Sequence, residues 1–241
     1  MKQVYGTGTY GKEASYAGSY TENGKIQGTI PQYIYNISTN KFTAVTNLAG
    51  TFYSNYQLKV MPEIPTTVTK MGYTFYYCEN LEKVSKIPES VIKMERTFAQ
   101  CSNLKTTPLI SNKVQNMTGA FSGCRSLNEV TNIPNSVIDL SYTFSACIQL
   151  KSIPAIPGNV QNLLCTFGGC IELTGNIVIK DADKITNYKT NGTGSSVLGT
   201  FTGTAKEINL QGKGSLEKFK AIAATSSAGN VKVDEANITT E

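Results

Sequence analysis

No histidine occurs anywhere in this chain of 241 residues, and that removes the side chain most often used as a general base near neutral pH. A serine or cysteine nucleophile would have no imidazole to activate it, so nucleophilic catalysis has little to work with. Zinc is disfavoured too, because no C-x-x-C pair accompanies the missing histidines. Charged residues are sparse, at 16%, and the net charge of +5 comes from Lys and Arg scattered among Asp and Glu without a basic run. Nucleic-acid binding wants a basic stripe with aromatics interleaved, and none can be drawn. No apolar run approaches the roughly 20 residues a helix needs to cross a bilayer, so membrane insertion is not expected. The start, Met-Lys-Gln-Val-Tyr-Gly-Thr-Gly, shows no apolar core of a signal peptide.

What the chain does have is one phrase written again and again. It is most complete from Ile87 to Leu104: I-P-x-x-V-x-x-M-x-x-T-F-x-x-C-x-x-L. Its Phe falls at Phe52, Phe75, Phe98, Phe121, Phe144 and Phe167, 23 residues apart each time. The Leu keeps the same beat from Leu58 to Leu173, and so does the Val from Val68 to Val160. A period held by several residue types predicts an α/β repeat solenoid in which each coil buries its apolar face against its neighbours. Met94, Phe98, Cys101 and Leu104 are spaced 4, 3 and 3, which predicts a short helix with one buried face. Leu81, Val84 and Ile87 run extended into Pro88, which cannot continue a helix. Parallel strands on one side and short helices on the other are therefore expected.

Five of the six cysteines, Cys78, Cys101, Cys124, Cys147 and Cys170, hold one repeat position and form an inward ladder. Coils about 4.8 Å apart would bring their Cα atoms within disulfide range. Parallel side chains locked in a core do not readily adopt the roughly 90° dihedral the bond requires, so free, buried thiols are expected. Cys165 lies off the ladder and is expected to be the exposed one.

Residues 1–41 are rich in Gly, Tyr, Thr and Ser and read as an N-terminal tail and cap, with a strand or two between Ile26 and Ile37. Repeats fill 42–180. After Leu173 the rhythm breaks, and Ile177 to Ile179 reads as another strand. Residues 181–241 read as an irregular last coil and a C-terminal cap: Val197 and Phe201 resuming the repeat, Ile208 to Leu210 as a final strand, and a helix after Ser215 that buries Leu216, Phe219 and Ile222. Val231-Lys-Val is a last extended piece.

The unit resembles the BspA-type leucine-rich repeat of bacterial surface proteins, some protist surface proteins and phage-encoded proteins. That family's pattern runs L-x-x-I-x-I-P-x-x-V-x-x-I, a few residues, then A-F-x-x-C-x-x-L. Leu127, Val130, Ile133, Pro134, Val137, Leu140, Phe144 and Cys147 fill those places, and the likeness covers Phe42 to Ile179. This chain sets Ile-Pro one residue later and often has Met for the later Ile. The resemblance implies a parallel sheet on one side and docking of partners on its concave face. The outward positions there are near Lys59, Lys83, Ser85, Thr106, Glu129, Thr131 and Ser152, with Pro62, Pro108 and Pro154 between them.

Other motifs weigh less. Gly6-Thr-Gly-Thr-Tyr-Gly11 fits the dinucleotide fingerprint in letters but lacks the preceding strand and following helix, so a turn-forming tail is expected. Asp181, Asp183, Asn187 and Asn191 lack the alternating carboxylates, mid-loop Gly and terminal Glu of a calcium loop. No cofactor or metal is expected. Tyrosines gather at Tyr73, Tyr76 and Tyr77, and at Tyr5, Tyr10, Tyr16 and Tyr20 in the tail. The first functional reading is a non-enzymatic recognition or adhesion module for a protein or cell-surface glycan ligand. The second is a structural or receptor-binding part of a phage tail or virion, held to other subunits through residues 1–20. Either places the protein outside the cell, at a cell surface or on a virion.

Overall fold

The structure is a computed structural model that describes residues 21–22, 25–26, 30, 32–36, 41–190, 198–226 and 228–240. It has a leucine-rich repeat fold with parallel strand pairing and few helices. Where the sequence predicts a helix, the chain instead makes consecutive tight turns. In the unit beginning at Met94, the amides of Thr97, Ala99 and Cys101 donate to the carbonyls of Met94, Arg96 and Phe98, each three residues back. The alternate amides, of Met94, Arg96, Phe98 and Gln100, donate out of the unit to Asn116, Thr118, Ala120 and Ser122 at 2.7–2.9 Å. An α-helix would commit every amide to its own segment; here half are spent on the next unit. The 4, 3, 3 spacing is real, and Met94, Phe98, Cys101 and Leu104 are all fully buried. A helix and a run of turns simply place such residues on the same face.

These turns need a left-handed residue in third position. Arg96 (φ 49°) and Gln100 (φ 64°) supply it in one unit, Gly119 and Gly123 in the next, and Tyr73 and Tyr77 in the one before. On the opposite side the expected strand through Leu81, Val84 and Ile87 is reduced to single-residue parallel bridges, Val60 to Lys83 and Thr106 to Glu129. A second file of bridges links Asn47, Lys70, Lys93, Asn116, Asp139, Asn162 and Asn187. Proline explains the brevity. It donates nothing to a ladder, and at Pro65, Pro88, Pro134 and Pro157 its carbonyl accepts from the Val three residues on, closing a turn.

The core lies between the bridges and the turns. Phe52, Phe75, Phe98, Phe121, Phe144, Phe167 and Phe201 form one stacked column, with neighbouring ring centres 5.3–6.1 Å apart. Beside it, each ladder cysteine donates its thiol to a Phe carbonyl 26 residues earlier, as Cys101 does to Phe75 at 3.1 Å. Thr74, Thr97, Thr143 and Thr166, all fully buried, reach back the same distance with their hydroxyls. The cysteine is therefore more than a small apolar filler; it satisfies a buried carbonyl.

Four short strands precede the first unit: β1 (Thr21–Glu22), β2 (Lys25–Ile26), β3 (Tyr33–Asn36) and β4 (Lys41–Ala44), paired as two antiparallel hairpins. Gln32 ties this region to the repeats, donating to Thr66 Oγ1 at 3.1 Å and accepting at its carbonyl from Val45 N. After Leu173 the bridges widen into a parallel sheet of β5 (Gly175–Ile179), β6 (Ile208–Lys213) and β7 (Val231–Thr239). The expected extended piece at Val231 thus runs six residues further than Val233. Helix α1 (Leu216–Ala223) connects β6 to β7, capped by Ser215 Oγ and burying Phe219, Ile222 and Ala223, with Leu216 half-buried. Val197, expected to resume the repeat, and residues 1–20 lie outside the described residues.

Candidate functional site

The strand-side positions named from the sequence fall in two registers. Lys83, Thr106, Glu129 and Ser152 share one, in which bridges join Lys83 to Val60 and Thr106 to Glu129, and Ser85 and Thr131 share the other. Lys59 stands one residue ahead and aligns with Glu82, Lys105, Asn128 and Lys151, leaving half-buried Val60 in the register of Lys83. Its carbonyl accepts from Glu82 N and Lys83 N, both at 3.0 Å. Thr131 is pinned by Thr107, whose Oγ1 accepts from Thr131 N at 2.9 Å and whose carbonyl accepts from the Thr131 hydroxyl at 2.7 Å. Lys59, Lys83, Ser85, Glu129, Thr131 and Ser152 are exposed, but Thr106 is half-buried and Pro108 is buried. Alternation in and out holds only along a continuous strand; with single bridges it lapses, and Pro108 turns inward.

The turn side carries a different surface. Tyr53 and Tyr76 occupy the same place in successive units and stack at 5.1 Å, 28° from parallel. Tyr73 packs against Tyr76 at 5.5 Å, and Tyr77 meets it edge-on at 4.7 Å. The Arg96 guanidinium lies 5.9 Å over the Tyr73 ring, a cation–π contact. Tyr53, Tyr56 and Tyr73 remain 54%, 52% and 42% exposed. In later units the places of Tyr76 and Tyr77 pass to Ala99 and Gln100, Ser122 and Gly123, Ser145 and Ala146, then Gly168 and Gly169. Tyr142 returns to the Tyr73 place three units on, half-buried, but the clustered tyrosines lie at the start of the array. The sequence signalled Tyr73, Tyr76 and Tyr77; Tyr53 was legible only as the residue 23 places before Tyr76.

The cysteines and three of the carboxylates have settled surroundings. Burial pushes the thiols of Cys78 and Cys170 up to about 12, and those of Cys101, Cys124 and Cys147 well up too. Cys165, expected to be exposed, is buried, because the turn that sets its φ at 52° packs its sulfur beside Gly168. Its pKa is raised by the same burial. Asp181 pairs with Lys184 at 3.2 Å, and Asp183 accepts from Ser215 N and Oγ at 2.9 and 2.6 Å, so both carboxylates have structural partners. Glu89 is held below the usual carboxylate range by hydrogen bonds from Lys86 and Ser111. Among the described residues, no group of three His, Cys, Asp or Glu side chains could hold a metal ion, and no helix is long and apolar enough to cross a membrane.

A repeated turn-and-bridge unit with a Phe column and a Cys ladder defines a leucine-rich repeat protein. The chain belongs to the BspA type leucine-rich repeat family, whose model matches in six copies over residues 19–140 and 49–174. Among solved structures it is similar to a leucine-rich repeat protein from Bacteroides ovatus, at 19% identity and TM-score 0.37, covering 88% of this chain and 70% of that one. It is also similar to a leucine-rich cell surface protein from Faecalibacterium prausnitzii, at 15% identity and TM-score 0.36, covering 86% of this chain and 92% of that one. No curated protein matches.

Proposed function

We propose that this protein is a non-enzymatic recognition module, displayed at a surface, that binds a protein partner through the turn face of its first three units. One observation carries the reading: Tyr53, Tyr73, Tyr76 and Tyr77 touch one another and Arg96 while staying partly open to solvent. Tyrosine and arginine are the residue types enriched in interface cores and hot spots. Raised thiol pKa values and the lack of histidine favour binding over catalysis. In this reading the 23-residue units stack as one solenoid across 42–180, flanked by a tail and cap at 1–41 and a last unit and cap at 181–241.

The strand face supplies a second reading, because Lys83, Thr106 and Glu129 stand in one register, where a bridge joins Thr106 to Glu129. It offers no aromatic anchor, so its energy would be spread over weak polar contacts. A third reading makes the chain a virion or phage-tail component held through residues 1–20. Affinity purification from cells that make the protein separates the three. Tyr53→Ala with Tyr76→Ala should abolish partner capture, whereas Lys83→Glu with Glu129→Lys, or deletion of residues 1–20, should leave it intact. Capture that survives the tyrosine changes refutes the turn-face reading.

A further inference from the structure

The turn ladder is one-directional, and that leaves its two ends unlike. Within it, amides of one unit always donate to carbonyls of the following unit: Leu48 to Lys70, Gly50 to Gly72, Phe52 to Thr74 and Ser54 to Tyr76 at the start of the array. The carbonyls that would receive from a preceding unit are those of Asn47, Ala49, Thr51 and Tyr53. Among the described residues none of these four has a donor. The side chains agree. Thr74, Thr97, Thr143 and Thr166 each reach back to a carbonyl of the unit before. Thr51 holds the same repeat position, and its Oγ1 is buried without a hydrogen-bond partner.

The far end is closed by the chain itself. Thr225 Oγ1 accepts from Phe201 N at 3.1 Å, Thr202 Oγ1 accepts from Gly199 N at 2.6 Å, and Gly199 packs directly against the Thr225 side chain. A second copy therefore offers no free row of donors there.

We propose that the first unit's turn edge is a docking site for a repeat unit of the same kind on another polypeptide. The partner is set by hydrogen-bond polarity. An ordinary strand edge presents donors and acceptors in turn, whereas this edge presents four carbonyls and one orphan hydroxyl. Only an edge of successive N–H groups with a carbonyl at the Thr51 position completes it, and the outgoing side of a like turn ladder is such an edge. Tyr53 and Tyr56 flank the row and give it an aromatic rim. The inference rests on the recognition reading and names the partner class for the same end of the array.

Two experiments test it on the full chain. The first compares Thr51→Val with Thr97→Val by thermal unfolding. Thr97→Val should lower Tm, since its hydroxyl has a buried acceptor, while Thr51→Val should leave Tm unchanged or raise it by removing an orphan donor. An equal drop at both sites overturns the proposal, because Thr51 would already have its partner. The second titrates the synthetic peptide Glu82–Leu104 into the labelled protein and follows amide shifts. Saturable changes at Asn47 to Tyr56 are expected, and they should vanish when the peptide is N-methylated at Arg96 and Phe98, two of the outgoing donors. No response, or the same response from the methylated peptide, overturns it. Tyr73→Ala with Tyr77→Ala, both in the second unit, should still bind the peptide, so loss of the tyrosine surface and failure of the edge remain distinguishable.

Discussion

Removing one ring from the phenylalanine column should cost more in its middle than at its end. Phe98 is fully buried between Phe75 at 5.3 Å and Phe121 at 5.5 Å. Phe→Ala at such a site loses the transfer free energy of the ring and leaves a cavity that rigid neighbours fill poorly, together about 3–5 kcal/mol. Stacked pairs add about 0.5–1.5 kcal/mol each beyond burial. Phe98 belongs to two such pairs. Phe201 is equally buried, yet among the described residues it stacks on Phe167 alone, at 5.4 Å. Phe201→Ala should therefore cost about 1 kcal/mol less than Phe98→Ala or Phe121→Ala. Against a total stability of about 5–15 kcal/mol, the difference is readable as a shift in urea midpoint, followed by circular dichroism and tyrosine fluorescence together. Equal costs at the three sites, or a cost below about 2 kcal/mol at Phe98, would refute the view that the column is a continuous stack.

The thiol ladder predicts alkaline unfolding. Its folded-state pKa values lie above the 9.0 of a free thiol, so the stability they confer is complete below pH 9.0 and is lost as pH rises towards about 12. Five such groups give a slope of up to about 7 kcal/mol per pH unit, and a circular dichroism titration should collapse at about pH 10–11. Cys101→Ala with Cys124→Ala should move that midpoint upward, and rapid labelling of native thiols at pH 8 would contradict the burial. Gly212, at φ 130°, has no room for a Cβ, which would lie 2.1 Å from the Ile179 carbonyl oxygen. Gly212→Ala should cost at least about 3 kcal/mol and detach β6 from β5, seen as loss of amide protection along Ile208–Lys213. Normal protection there would show that the backbone yields easily.

Much of this fold was legible because burial is periodic. Leu58 to Leu173, Val68 to Val160 and the Phe column all lie where the repeat phrase placed them. The C-terminal helix was legible from Ser215 and the spacing of Phe219 and Ile222. The turns were not, since the positions that need φ above zero hold Tyr73, Tyr77, Arg96, Gln100, Tyr142 and Ala146 rather than glycine. Only Gly119 and Gly123 give the usual signal in both places of one unit. Thr and Cys were equally mute: each is small enough to read as filler, and its acceptor lies 26 residues away. On the candidate surface, residue type exposed the tyrosines, but which of them touch depended on the stacking of neighbouring units.

The same hydrogen bonds string whole peptide groups into files. The unit joining Thr97 to Phe98 accepts from Phe75 N and donates to Ala120 O. The file runs on through Phe121 to Thr143, Phe144 to Thr166 and Phe167 to Thr200, having begun at Phe52. Parallel files pass through Leu48, Gly50 and Ser54. Each peptide carries a dipole of about 3.5 D, and head-to-tail alignment along an axis is what gives an α-helix its end charges. The turn ladder therefore acts electrically like a small bundle of co-directed helices, although the repeats contain none and one file outside it, through Thr46, Thr69, Ile92 and Gln115, runs the opposite way. Partial negative charge gathers at Asn47 to Tyr53, and positive charge at the opposite end. A cationic group approaching the first unit gains on the order of 0.3–1 kcal/mol per file at low ionic strength, an advantage that salt erodes.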